Sequence, residues 1–157
     1  AGIHPDAVLF GFIRQRTFGD INMAAHEAKV RKEDRSAAAD YFKKASDNYE
    51  QMLAAFHASN WNACATLAVQ CAISSADAIC VHEKGVRSVS HAHLDVCDMV
   101  AKLALPGVED KAKQLRKIIA RKNMIQYECR SVYKSDAEDM VKITARVYQW
   151  VQENVGQ

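Results

Sequence analysis

From Arg35 onward, apolar residues recur at three- and four-residue steps, the spacing that gathers them on one face of an α-helix. Ala38, Phe42, Ala45, Tyr49, Met52 and Phe56 form the first such stripe, with Asp40, Lys43, Lys44, Asp47 and Glu50 on the opposite side. After the turn HASN comes WNACATLAVQCAISSADAICVHEKG, apolar nearly all round and therefore expected to be the most buried helix. Asn60 is placed to cap its start and Gly85 to end it in a left-handed conformation. A third, shorter helix is expected after Ser88 or Ser90, carrying Leu94, Cys97, Val100 and Leu103 and ending at Pro106 and Gly107. The fourth is expected from about Val108 to about Tyr133, with Leu115, Ile118, Ile119, Ile125, Cys129 and Val132 on one side. The last opens with a capping box from Ser135 to Glu138 and continues through Met140, Val141, Thr144, Val147, Tyr148 and Val151. Short connections between helices of this length predict antiparallel neighbours, so the fold class is all-α, an up-and-down bundle of four to five helices.

Residues 1–25 lack a sustained period and mix Gly, Pro and aromatics, so they are expected to be an arm or appended segment, with the bundle over residues 26–157. At 157 residues the chain can bury a core without staples, and its two prolines and six glycines do not suit a fold of many short strands. The net charge of +2 supplies no overall field toward a polyanion, so any nucleic-acid site has to be local. Five cysteines set in apolar helical patterns argue against a disulfide framework and for a reducing compartment, which makes a cytoplasmic location the expectation. No run is expected to reach the roughly 18 apolar residues that span a bilayer, and no membrane partner is expected.

The chemistry lies where polar residues interrupt apolar seams. Lys122 falls in the middle of the fourth helix's stripe with Gln126 one turn later, and must be paired, snorkel outward or face another subunit. Asp77 interrupts the second helix among Ile73, Ser74, Cys80 and Val81 and needs a cation, with Lys122, Arg121 and Arg87 as candidates. His91 and His93, two apart at an expected helix start, would point about 200° from each other. No Cys-x-x-Cys, phosphate-cradling GxxxxGK[ST] or GxSxG elbow occurs, so no metal or cofactor is expected, and P-loop NTPases and α/β-hydrolases are excluded. Trp61 and Trp150 fit packing roles better than base stacking.

The stretch from YFKKASDNYEQML through the Gly, basic residue and Ser-x-Ser-His of GVRSVSH, and the later LRKIIARKNMIQYECRSVYKSDAEDMVKITARVYQWV, resemble the helices of the HEPN family over about residues 35–152. That resemblance implies a bundle that commonly dimerises, often as a toxin of a toxin–antitoxin pair or as an RNA-cleaving or nucleotide-binding module. The family's ribonucleases carry an Arg followed after four to six residues by a His, and cleave RNA without a metal. In RKNMIQYE, Arg121 or Lys122 matches the basic position and Asn123 the polar residue after it, but Tyr127 stands where the His is expected. A phenol titrating near about 10 is a poor base at neutral pH, where an imidazole titrating near about 6.5 works.

The reading is therefore a dimeric binding module for nucleic acid, a nucleotide or a cognate protein such as an antitoxin or a nucleotidyltransferase-like protein. Its polar site comprises Asp77, Lys122, Asn123, Gln126 and Tyr127. The alternatives are a metal-independent endoribonuclease, with Arg121 or Lys122 meeting transition-state charge and Tyr127 or a nearby His handling protons, and a purely structural interaction module.

Overall fold

The computed structural model describes residues 30–156, so the expected arm at residues 1–25 lies outside the described residues. A short strand β1 (Val30–Lys32) and one 3₁₀ turn (Arg35–Ala37) lead into α1 (Ala38–His57), which an abrupt turn joins to α2 (Trp61–Lys84). Then come strand β2 (Val86–Ser88), short α3 (Asp95–Ala101), α4 (Val108–Ile119), the single-turn α5 (Lys122–Tyr127) and the long α6 (Lys134–Val155). The architecture is the expected all-α bundle.

α2 is the central element, packed along α1 and α6, with α4 filling in against α6, α3 and α2. Its small residues, among them Cys64, Ala65, Ala68, Ala72 and Ala76, are fully buried and let its neighbours approach closely. By length and composition α2 is apolar enough to cross a membrane, contrary to the expectation of no such run, but most of that stretch is buried in the bundle. α1 and α6 are clamped by Tyr148, whose ring stacks on Tyr49 at 4.3 Å and Phe42 at 5.5 Å. Trp150 is buried and donates its indole N–H to the Pro106 carbonyl at 3.0 Å, and Trp61 packs edge-on against Phe56, so both tryptophans serve packing.

Several expected boundaries shift. Gly85 does stop α2 in the left-handed region, φ 63°, where an added Cβ would also meet the Glu33 carbonyl at 3.2 Å. Asn60 occupies the N-cap position of α2 without a side-chain capping bond. Ser88, expected as a helix cap, instead lies in β2, which pairs antiparallel with β1 in the register Arg31 opposite Arg87. α3 therefore begins only at Asp95. The expected fourth helix breaks after Ile119: α5 is a single turn, Cys129 lies exposed beyond it, and no continuous stripe reaches Val132. α6 begins at Lys134, one residue before the expected cap, and Asp136 rather than Glu138 accepts the N–H of the preceding Tyr133.

All five cysteines are free thiols, and four are buried. Burial pushes the Cys71 and Cys80 thiols up to about 12 and the Cys97 thiol up to about 11, and raises that of Cys64. Native thiol titration with a chromogenic disulfide is expected to show one fast equivalent, Cys129. The other four should react only as fast as the bundle opens, and a second fast thiol would contradict this packing.

Candidate functional site

The turn between β2 and α3 is built by its serines. Ser88 Oγ accepts the Ser90 N–H at 3.2 Å, and Ser90 Oγ accepts the Ala92 N–H at 3.1 Å. Such side-chain turns compete with helix formation, which is why residues 89–94 stay non-helical. The expectation that His91 and His93 point apart assumed a helix and fails for this reason.

On the other side, the chain turns between α4 and α5. The Arg121 N–H bonds back to the Ile118 carbonyl at 3.1 Å, and the Arg121 guanidinium reaches Asp139 of α6 at 3.1 Å. Arg121 is thus tied to α6, while Lys122, Asn123 and Tyr127 turn toward the serine-built turn. Together with His91, Ala92, His93, Leu94, Ile119 and Ala120 they line a cavity of about 280 Å³. Tyr127 stands at its mouth with 78% of its surface exposed. Gln126, also expected in the site, is exposed and does not line the cavity.

His93 and Lys122 are the half-buried basic groups of this cavity, and His91 is exposed. Burial, then the positive charge of Lys122 and then His91, lower its pKa, so its ring is neutral and able to accept a proton at pH 7. A neutral imidazole beside an ammonium, an amide and a phenol can take a proton, bind an anionic oxygen and donate hydrogen bonds. Among the described residues, no cluster of three or more His, Cys, Asp or Glu gathers to hold a metal ion.

Asp77 does not enter that cavity. It lines a second pocket of about 100 Å³ with Ile73, Arg87, Ser88, Val89, Ser90, His93 and Val96, and His93 is the wall the two share. Of the three candidate cations, Arg87 is the one beside Asp77, with Nε 3.9 Å from the carboxylate. The β1–β2 ribbon holds Arg87 there, and its Nη1 donates to the Tyr41 hydroxyl at 3.2 Å. Burial pushes the Asp77 carboxyl up to about 6, against the pull of Arg87 and Lys44 and with a further push from Glu33. The anticipated pairing of Asp77 with Arg121 or Lys122 is therefore not made within one bundle; Arg121 is held by Asp139 and Lys122 faces His93.

A family model described as HEPN domain matches residues 38–154, from the first residue of α1 nearly to the end of α6. No curated protein and no solved structure matches the chain. The match takes in every helix of the bundle and both pockets, and on that basis the chain belongs to the HEPN-domain family.

Proposed function

We propose that the cavity between the 91–94 turn and α5 binds a phosphate of RNA or of a nucleotide. The observation that carries this reading is the convergence of His91, His93, Lys122, Asn123 and Tyr127, from segments far apart in sequence, on one open cavity. Lys122 supplies the charge, Asn123 and the imidazoles supply hydrogen bonds, and exposed Tyr127 offers a ring on which a base can stack. With a net charge of only +2 the affinity comes from this local set, and with one lysine at the phosphate it is expected to fall only gently with salt. Leu94 and Tyr127 of this cavity, and Val89 of the neighbouring pocket, are exposed apolar side chains, which fits a face covered by a second copy or by a cognate antitoxin or nucleotidyltransferase-like protein.

Fluorescence anisotropy with a labelled single-stranded RNA tests the binding role. Lys122→Ala is expected to weaken binding about tenfold, and Tyr127→Leu by about 5- to 100-fold if a base stacks there. Affinity unchanged in both variants would refute the assignment.

A metal-independent ribonuclease is the second reading, and the neutral His93 beside Lys122 is the feature in its favour. His93 would take the proton of a ribose 2′-hydroxyl as its oxygen attacks phosphorus. The 5′-oxygen would leave with a proton from His91 or Tyr127, giving a 2′,3′-cyclic phosphate and a 5′-hydroxyl. RNA left intact in EDTA by the unaltered chain, or cleavage undiminished in His93→Ala, would exclude this chemistry while leaving the binding reading in place.

A further inference from the structure

The second pocket sets a buried donor that the fold leaves unpartnered beside a largely buried carboxylate. Asp77 is 7% exposed and accepts no hydrogen bond among the described residues; its nearest cation is Arg87, at 3.9 Å. Arg87 Nε is itself buried and has no hydrogen-bond partner among the described residues. A buried donor left open beside a largely buried carboxylate is costly, and it marks a place where a ligand group completes the hydrogen bonding.

The pocket's other walls narrow the ligand. Ile73, Val89 and Val96 are apolar, Ser88 and Ser90 have their hydroxyls engaged in the turn, and the volume of about 100 Å³ suits the edge of one planar ring rather than a whole nucleoside. A carboxylate accepts two adjacent donors, and Nε–H next to it donates to one acceptor. Of the four RNA bases only guanine presents that sequence on its Watson–Crick edge, N1–H and N2–H₂ beside O6. Adenine would set its N1 lone pair against the carboxylate, uracil offers one donor between two acceptors, and cytosine has its one amino donor beside N3.

We infer that the Asp77–Arg87 pocket is a guanine site, reading the base of a nucleotide whose phosphate lies across His93 in the neighbouring cavity. The inference rests on the phosphate reading above for the position of the nucleotide, though not for the recognition of the base. Asp77 accepts from N1–H and N2–H₂, and Arg87 donates to O6. His93, as the shared wall, sets the base and the phosphate of one nucleotide on its two sides.

Isothermal titration of the full chain with guanosine, inosine and adenosine 5′-monophosphates, and with guanosine itself, tests this. The guanosine monophosphate is expected to bind at least about tenfold tighter than the adenosine one, with the inosine compound, which lacks N2–H₂, in between. Asp77→Asn is expected to abolish that order, and the inosine comparison needs no variant at all. If the three monophosphates bind alike and Lys122→Ala weakens all of them, the base site is wrong and the phosphate reading stands. If guanosine binds as tightly as its monophosphate and Lys122→Ala changes nothing, the guanine site stands and the phosphate reading falls. Absence of binding by all four compounds overturns both.

Discussion

Replacing Arg87 by methionine is expected to destabilise the bundle by about 3–5 kcal/mol at pH 8 and by distinctly less at pH 5. The cause is Asp77, buried at 7% exposure with Arg87 as the largest influence holding its pKa down. Even with Arg87 present, burial wins and the carboxyl sits at about 6 instead of 3.8. The sign follows from that direction. Between about pH 4 and 6 the folded chain holds a proton that the unfolded chain has released, so this group's contribution to stability falls as pH rises through the window. The penalty is complete above about 6, where a shift of this size amounts to about 3 kcal/mol. Removing Arg87 raises the folded pKa further, which enlarges the penalty at pH 8. At pH 5 Asp77 is mostly protonated and has little need of a cation.

Asp77→Asn should therefore stabilise the protein at pH 8, by about 1–3 kcal/mol, and flatten stability between pH 4 and 6. The Arg87→Met effect should shrink when it is combined with Asp77→Asn, because no buried charge is then left unpaired. Urea unfolding of the parent, the two single variants and the double variant at pH 5 and pH 8 measures all of this. Equal costs at both pH values, or strict additivity, would show that the two side chains act independently. A carboxylate kept at such a cost is what a binding site, rather than a structural ion pair, leads one to expect.

That Asp77 needs a cation was legible from its place in a largely apolar helix, and Arg87 was among its three candidates; which of the three would reach it was not. Arg87 reaches it only because β2 pairs with β1, and three-residue strands leave no periodic trace in the sequence. The ends of α1 and α2 were readable because the period is long and Gly85 supplies a left-handed stop that other residues resist. The break after α4 carries no Gly or Pro, and the apolar spacing continues through Ile125, so sequence alone predicted an unbroken helix and set Lys122 in its seam. Tertiary ties decide otherwise: Arg121 bonds Asp139, and the Val132 N–H is taken by the Asn62 side chain at 2.8 Å, drawing the chain into an extended path. The Ser-x-Ser run before His91 was the available signal for the other half of the site. Serine hydroxyls that accept N–H groups two residues on favour a turn, and in a turn two histidines two apart can share one cavity.

The broken helix makes α4 the support of the cavity lined by His93 and Lys122, and Leu115→Ala is expected to expose this with a loss of about 3–5 kcal/mol. Leu115 is 0% exposed, and with Ala112, Ile118 and Ile119 it forms the face by which α4 packs on the bundle. At 12 residues α4 is too short to hold its helix without that packing. Truncation leaves a cavity among α2, α4 and α6 that rigid neighbours fill poorly, and the melting temperature should fall by roughly 10 °C. Lys117→Ala on the exposed face of the same helix should change stability by no more than about 0.5 kcal/mol. Because Ile119 and Ala120 line the cavity and Lys122 follows directly, loosening should be felt first there. Hydrogen exchange should accelerate over residues 108–127 before it does in the middle of α2. Acceleration spread evenly over the bundle would mean that α4 opens only with the whole fold. A melting temperature within a degree or two of the parent would mean that Leu115 is not the anchor its burial implies.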